Sequence, residues 1–209
     1  MDIPFSEDLP EDPREAKRLL RRNLRAARAV MAHAAAPVAA RKVRDRVLAL
    51  LAAHFPPPKC VAAYWPTSHE LDVRPLMASL VERHYTVLLP VVTVGAAPLC
   101  FRRWQPGMKL VEGAHGIPVP PPESGEARPD VVLLPLVGFD RHGYRLGQGG
   151  GHYDRTLAAL RQQGPVAAIG IAYAGQEIDR VPVEPHDQPL DWIVTEAMTF
   201  GPFSRLESP

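Results

Sequence analysis

Apolar residues recur three and four positions apart along the first fifty residues; beyond residue 58 they gather into short, unbroken runs. In the first stretch Ala16, Leu20, Leu24, Ala27 and Met31 share one face of a helix. Asp12, Pro13 and Glu15 supply its start: an N-cap acid, a proline at the first helical position and an acid in the first turn. That helix is expected to end near Met31. A second one is expected from Pro37, burying Val43, Val47, Leu50 and Leu51 and stopping before Pro56-Pro57-Pro58.

The later runs predict strands over 59–65, 85–90, 99–104, 130–135, 166–173 and 192–195. Capped helices are expected over 72–83 and 153–163, the latter stopped by Gly164. Continuously apolar strands alternating with helices indicate an α/β fold, its mostly parallel sheet covered on both faces. In such sheets ligands gather at the carboxyl ends of the strands.

Between strand 130–135 and helix 153–163 the chain reads Arg145-Leu-Gly-Gln-Gly-Gly-Gly-His-Tyr-Asp-Arg155. Gly147, Gly149, Gly150 and Gly151 crowd a loop that opens directly into a helix. Glycines let backbone N–H groups approach an anion, and the helix start adds about half a positive charge. This is a phosphate cradle of neither common type. No Lys-Ser/Thr follows the glycines, and His152 stands where a dinucleotide fingerprint requires glycine.

The net charge of +1 makes no general case for nucleic acid or a membrane, and the acidic start of the chain is unlike a signal peptide. Cys60 and Cys100, each in an apolar run, are expected to be buried free thiols in a reducing cytoplasm. The 24 prolines punctuate element boundaries. Residues 1–12 are expected to form a flexible N-terminus and 13–209 one domain.

Asp154 stands in the first turn after the cradle. As a dipole contact it would be worth under about 1 kcal/mol. Beside polyphosphate, however, a carboxylate is repulsive unless a divalent cation intervenes, so Asp154 is a magnesium candidate. Asp187, in a proline-stiffened loop, is a candidate second acid. Because the loop lacks lysine, cationic help must come from elsewhere, and Arg14, Lys17, Arg18, Arg21, Arg22, Arg25 and Arg28 are available on the first helix. Spacing alone does not choose among them, and such a run is most often a solvated face. Glu70, in the segment after the first strand, is suited to accept from an N–H-rich heterocycle. Trp65, Trp104 and Tyr153 are suited to stacking, with core packing as the default. His142, His152 and His186 show no zinc-ligand spacing.

The stretch Leu136-Val-Gly-Phe-Asp-Arg-His-Gly-Tyr-Arg-Leu-Gly-Gln-Gly-Gly-Gly-His-Tyr-Asp-Arg155 closely resembles the signature of the 5-formyltetrahydrofolate cyclo-ligase (methenyltetrahydrofolate synthetase) family. Lys17-Arg-Leu-Leu-Arg21, Ser68-His-Glu70, Gly113-Ala-His-Gly-Ile-Pro118, and Val181-Pro-Val-Glu-Pro-His-Asp187 with Asp191 fall in the family's order. The resemblance implies a three-layer α/β sandwich. It also implies ring closure of 5-formyltetrahydrofolate, with or without a polyglutamate tail, to the 5,10-methenyl form, using ATP and Mg2+, in a monomeric cytoplasmic enzyme.

Carried over by the resemblance, Lys17, Arg18, Arg21, Arg145 and the loop Gly147, Gln148, Gly149, Gly150, Gly151, His152 and Tyr153 hold ATP. Lys17, Arg145 and Glu70 carry the chemistry. Trp65, Glu70, Gly149, Gly151 and Tyr153 contact folate, and Asp154 and Asp187 hold magnesium, with Asp191 the alternative second ligand. The chain departs from the family at His152, usually Tyr, at Gln148, commonly Tyr or Arg, at Gly150, lysine in some members, and at Val119, usually an acid. An RNA-binding reading lacks an aromatic-interleaved basic surface. A sugar-phosphate isomerase would not need an acid beside the cradle. A paralogue that binds nucleotide or folate without turnover is disfavoured by Lys17, Glu70, Asp154 and Asp187 occurring together.

Overall fold

The computed structural model describes residues 9–203 except 68, 94 and 96, and says nothing of the residue 35 side chain. Ser68 and the expected flexibility of residues 1–8 therefore lie outside the described residues. Within the rest of the expected flexible segment, Leu9 packs on a small apolar cluster and Asp12 caps the first helix through Arg14 N, at 3.0 Å.

The first departure from expectation is that the two N-terminal helices are one. Helix α1 runs unbroken over Pro13–His54, 42 residues and roughly 63 Å at 1.5 Å per residue, with Pro37 inside it. The lost hydrogen bond at Pro37 costs about 3 kcal/mol. The Ala-rich segment before it has the highest helix propensity, and both flanks are anchored. Leu20 and Leu24 are buried on one side of the break, and Ala39, Val43 and Val47 on the other.

Strands β1 (Cys60–Ala62), β2 (Thr86–Val91), β3 (Cys100–Trp104), β6 (Val131–Pro135), β9 (Ala167–Ile171), β10 (Trp192–Val194) and β11 (Thr199–Phe200) form one sheet in the order β11-β10-β9-β6-β1-β2-β3. The five inner strands are parallel and the edges β3 and β11 antiparallel. Two-stranded ladders pair β4 (Val111–Glu112) with β5 (Pro118–Val119) and β7 (Gly138–Phe139) with β8 (Arg145–Leu146).

Neighbouring strand residues serve opposite faces. Val61, Val87, Val131 and Leu133 face the carboxyl half of α1 and helix α2 (Arg74–Glu82). Ala62, Leu88, Val132 and Leu134 face helix α3 (His152–Gln163) through Leu157 and Leu160. The α/β architecture with helices on both faces is thus as the sequence predicts. Cys60 and Cys100 are free but half-buried on β1 and β3, not fully buried, because each lies at a strand end. Trp104 belongs to the core. No helix among the described residues is long and apolar enough to cross a membrane.

From β1 the chain moves to β2 on one side, whereas β6, β9 and β10 build the other. The loops after β1 and β6 therefore diverge, leaving the crevice where ligands bind in open α/β sheets. The amino half of α1 overhangs this edge, held there by Leu20 and Leu24 against Val137, Leu146, Ile178 and Val181.

Candidate active site

The chain leaving β6 first makes the β7–β8 hairpin. Buried Asp140 organises it, accepting from His142 N at 2.9 Å, Tyr144 N at 3.1 Å and Val181 N at 3.0 Å. The glycine loop follows. Gly149 has φ +106° and Gly151 +64°, both in the region that favours glycine. Gly151 is also the N-cap of α3 and, lacking a side chain, leaves the N–H groups of the first turn uncapped by it. A loop that turns this way into an uncapped helix start is suited to an anion. An added Cβ at Gly151 would lie 2.6 Å from Arg155 Nη1, and that guanidinium is bonded to Gly150 O at 2.9 Å through Nη2. Gly151→Ala is expected to cost about 1–2 kcal/mol of stability and to weaken anion binding at this loop roughly tenfold, about the effect of losing 1.4 kcal/mol. A thermal melt and a titration with inorganic phosphate check both.

Helix α1 straps this loop from outside. Arg21 Nε donates to Gly147 O at 2.9 Å, and Arg25 donates to Gln148 Oε1 and O at 3.0 and 2.9 Å. One turn before Arg21, the buried Lys17 ammonium bridges Glu184 Oε2 at 2.8 Å and Asp187 Oδ2 at 2.5 Å. Hydrogen bonding from Lys17, reinforced by Arg14, holds the Glu184 carboxyl below its ordinary value of 4.5. Arg145, buried on β8, donates through Nη2 to Asp154 Oδ1 at 2.6 Å and through Nη1 to Gln188 O. Gln188 N also donates to Asp154 Oδ1 at 3.1 Å, so the Asp154 carboxylate lies beside the Asp187 segment.

These groups border a cavity of about 710 Å³. Lys17, Arg21, Trp65, Glu70, Arg145, Gly147 through Gly151, His152, Tyr153, Asp154 and Asp187 all line it. Arg18 does not. It lies about 100° around the helix from Lys17, its side chain is 82% exposed, and it pairs with Glu15 at 3.6 Å. Asp191 is also remote. It accepts from Ala168 N at 2.7 Å, at the amino end of β9, opposite the cavity.

Tyr153 is half-buried in the cavity wall, and desolvation together with the nearby Glu70 pushes its phenol well above its ordinary value. His152 is held below 6.5 by partial burial, then by Arg155 and His115. These surroundings favour its neutral imidazole. Trp65 carries the Arg74 guanidinium 5.8 Å from its ring centre.

Three contributors were not singled out from the sequence. Glu184 was legible as an acid inside the quoted 181–187 motif. His115 enters the cavity wall from a left-handed backbone, φ +57°, between β4 and β5. Arg28, one of seven cations over residues 14–28, gave no separate signal.

A cavity at the switch point of a parallel sheet, lined by a glycine cradle and balanced cations and carboxylates, belongs to the class of α/β enzymes that handle anionic substrates. The family described as the 5-formyltetrahydrofolate cyclo-ligase family matches residues 13–196. A 5-formyltetrahydrofolate cyclo-ligase of Mycolicibacterium smegmatis is 38% identical over 149 residues, covering 66% of this chain and 73% of that protein. One from Escherichia coli is 37% identical over 140 residues, covering 65% and 76%. The solved structure of Aquifex aeolicus 5,10-methenyltetrahydrofolate synthetase has a TM-score of 0.74 and 29% identity, covering 92% of this chain and 96% of that one. The chain belongs to the 5-formyltetrahydrofolate cyclo-ligase family and is an enzyme.

Proposed function

We propose that the protein converts 5-formyltetrahydrofolate to 5,10-methenyltetrahydrofolate, spending ATP and releasing ADP and phosphate. The observation that carries this reading is the meeting, in one cavity, of an anion cradle after β6 with the Glu70 carboxylate from the loop after β1. Two ligands, one polyphosphate and one N–H-rich heterocycle, are thereby brought together.

A formamide oxygen is a poor leaving group and phosphate a good one. The formyl oxygen attacks the γ-phosphate, giving an imine phosphate and ADP. Nitrogen 10 then adds to the activated carbon, and expulsion of phosphate, which leaves with the proton from nitrogen 10 as hydrogen phosphate, gives the methenyl bridge. Little of this needs covalent participation by the protein; positioning and stabilisation of phosphoryl charge dominate.

The loop N–H groups and the α3 start receive the phosphates, joined by the Lys17, Arg21 and Arg145 cations. Glu70, Trp65 and Tyr153 form the folate side, with Glu70 near the formyl group. Magnesium would be held by Asp154 and Asp187, cavity-lining carboxylates on adjoining segments that accept from Arg145 and Lys17 respectively and can be shared with a hard divalent cation. A bound ion would neutralise phosphate charge there.

Purified protein given 5-formyltetrahydrofolate should show methenyl absorbance only when ATP and magnesium are both present. A flat trace with nucleotide binding intact would instead identify a binding paralogue.

A further inference from the structure

Arg28 differs from the other cations of α1. Its side chain is 7% exposed, and it does not line the cavity. Burying a guanidinium is costly unless a counter-charge is at hand. Among the described residues the only carboxylate within 4.0 Å is Glu70, whose Oε1 lies 3.8 Å from Arg28 Nη1. The Glu70 side chain is likewise 7% exposed. The same Nη1 donates to Leu136 O at 3.3 Å.

The two contacts join segments that the topology drives apart. Glu70 belongs to the loop after β1, whereas Leu136 directly follows β6. Gln176 Nε2 fixes the second segment further, donating to Leu136 O at 2.8 Å and Val137 O at 2.9 Å. In the first segment, Glu70 Oε2 accepts from Thr67 N at 3.0 Å, and Glu70 N donates to Thr67 O at 2.8 Å. The carboxylate is thus held from its own loop at one oxygen. Its other oxygen faces a cation too distant for a hydrogen bond, so Oε1 keeps its lone pairs for a ligand. The nearby Tyr64 hydroxyl donates to Leu71 O at 2.8 Å and does not compete for it.

We propose that Arg28 is a positioning residue: from beneath the cavity floor it ties the loop after β1 to the chain after β6 and holds Glu70 aimed at the folate. This rests on the cyclo-ligase reading given above. Arg28 reaches the folate side through Glu70, its bond to Leu136 O serving as the anchor, and it lines no part of the cavity. Its loss therefore affects folate chemistry and spares ATP.

The test compares wild type, Arg28→Met, Arg28→Lys, Glu70→Gln and the double variant Arg28→Met/Glu70→Gln in the full chain, using steady-state kinetics. Arg28→Met should lower kcat/KM for 5-formyltetrahydrofolate roughly 10- to 100-fold, the range found when the support behind a liganding group is removed, while KM for ATP stays within about twofold. Arg28→Lys, which keeps the charge, should recover most of that loss. In the Glu70→Gln background, removing Arg28 should cost nothing more, since residues acting as a unit are non-additive. The double variant buries no unpaired carboxylate and keeps the comparison open if Arg28→Met alone fails to fold. A further tenfold loss in that background, an equal rise in KM for ATP, or an unchanged kcat/KM for folate in the Arg28 variants would overturn the role. Absence of turnover in the wild type would instead overturn the functional reading, and this proposal with it.

Discussion

Asp154→Asn is expected to reduce turnover by about 100-fold or more, in line with the loss of one preorganised charge-stabilising group, while the protein still folds. The structure makes this substitution more informative than a simple dipole contact would. Asp154 does not merely face the α3 N-terminus; it pairs with the buried Arg145 at 2.6 Å and accepts from Gln188 N. Asparagine has the same shape and keeps an acceptor for both donors, but it leaves the Arg145 charge less balanced. A hydrogen bond to a charged group is worth about 1.5–3 kcal/mol, which lowers Tm by several degrees in a chain of this size. The kinetic loss exceeds that, because a neutral amide is a far weaker ligand for magnesium than a carboxylate. Magnesium titrations of activity alongside thermal melts separate the two effects. A variant with wild-type magnesium dependence, or one whose activity falls only as far as its folded fraction, would remove Asp154 from the proposed metal site.

Lys17→Met should have the larger effect on stability. The Lys17 ammonium, 5% exposed, serves two carboxylates at once. The resulting variant leaves Glu184 and Asp187 facing one another, their ligand atoms within 4.8 Å. Breaking a buried pair by removing one member costs about 3–5 kcal/mol; partial exposure of both acids places this case near or below the lower end.

The response to pH is more diagnostic than the size of the loss. In the wild type the depressed Glu184 value contributes stability that is present above its ordinary 4.5 and lost as pH falls through the folded value. Without Lys17, two facing carboxylates raise one another, so the folded state binds more protons than the unfolded one. Stability of the variant should then rise as pH is lowered from 7 toward 5, opposite to the wild-type contribution of this cluster. Melts across that range in a chelating buffer test it, and parallel slopes for the two proteins would refute the ion-pair account. Activity should drop on the order of 1000-fold, as when an essential phosphate-stabilising cation is lost.

Much of this site could be read from the chain because its central part is local. The cradle, the start of α3 and Asp154 follow one another within a few residues, so glycine spacing and a capping position were enough to place them. The five inner strands were legible for the same reason, each lying in a nearly unbroken apolar run. What escaped depended on distance in sequence. Whether Pro37 ends a helix depends on Val137 and Val181 anchoring one flank while β1 and α2 anchor the other. Periodicity places Arg28 and Arg18 on helix faces, yet only the packing decides that the first is buried against Glu70 and the second left in water. Likewise, nothing local announces that β3 and β11 turn antiparallel, since edge pairing is settled by the connections around them.

The single helix α1 has a consequence for how the molecule breathes. Its carboxyl half is held by the principal core, but its amino half depends on a far smaller cluster around Leu20 and Leu24. The two ends of one continuous rod therefore have unequal local stability, and the weaker end carries Lys17 and Arg21, cations that line the cavity. Amide hydrogens over residues 16–28 should exchange faster than those over 43–51, and ligands that engage Lys17 and Arg21 should slow them. Closing the mouth of the cavity and completing the fold of this helix would then be one event.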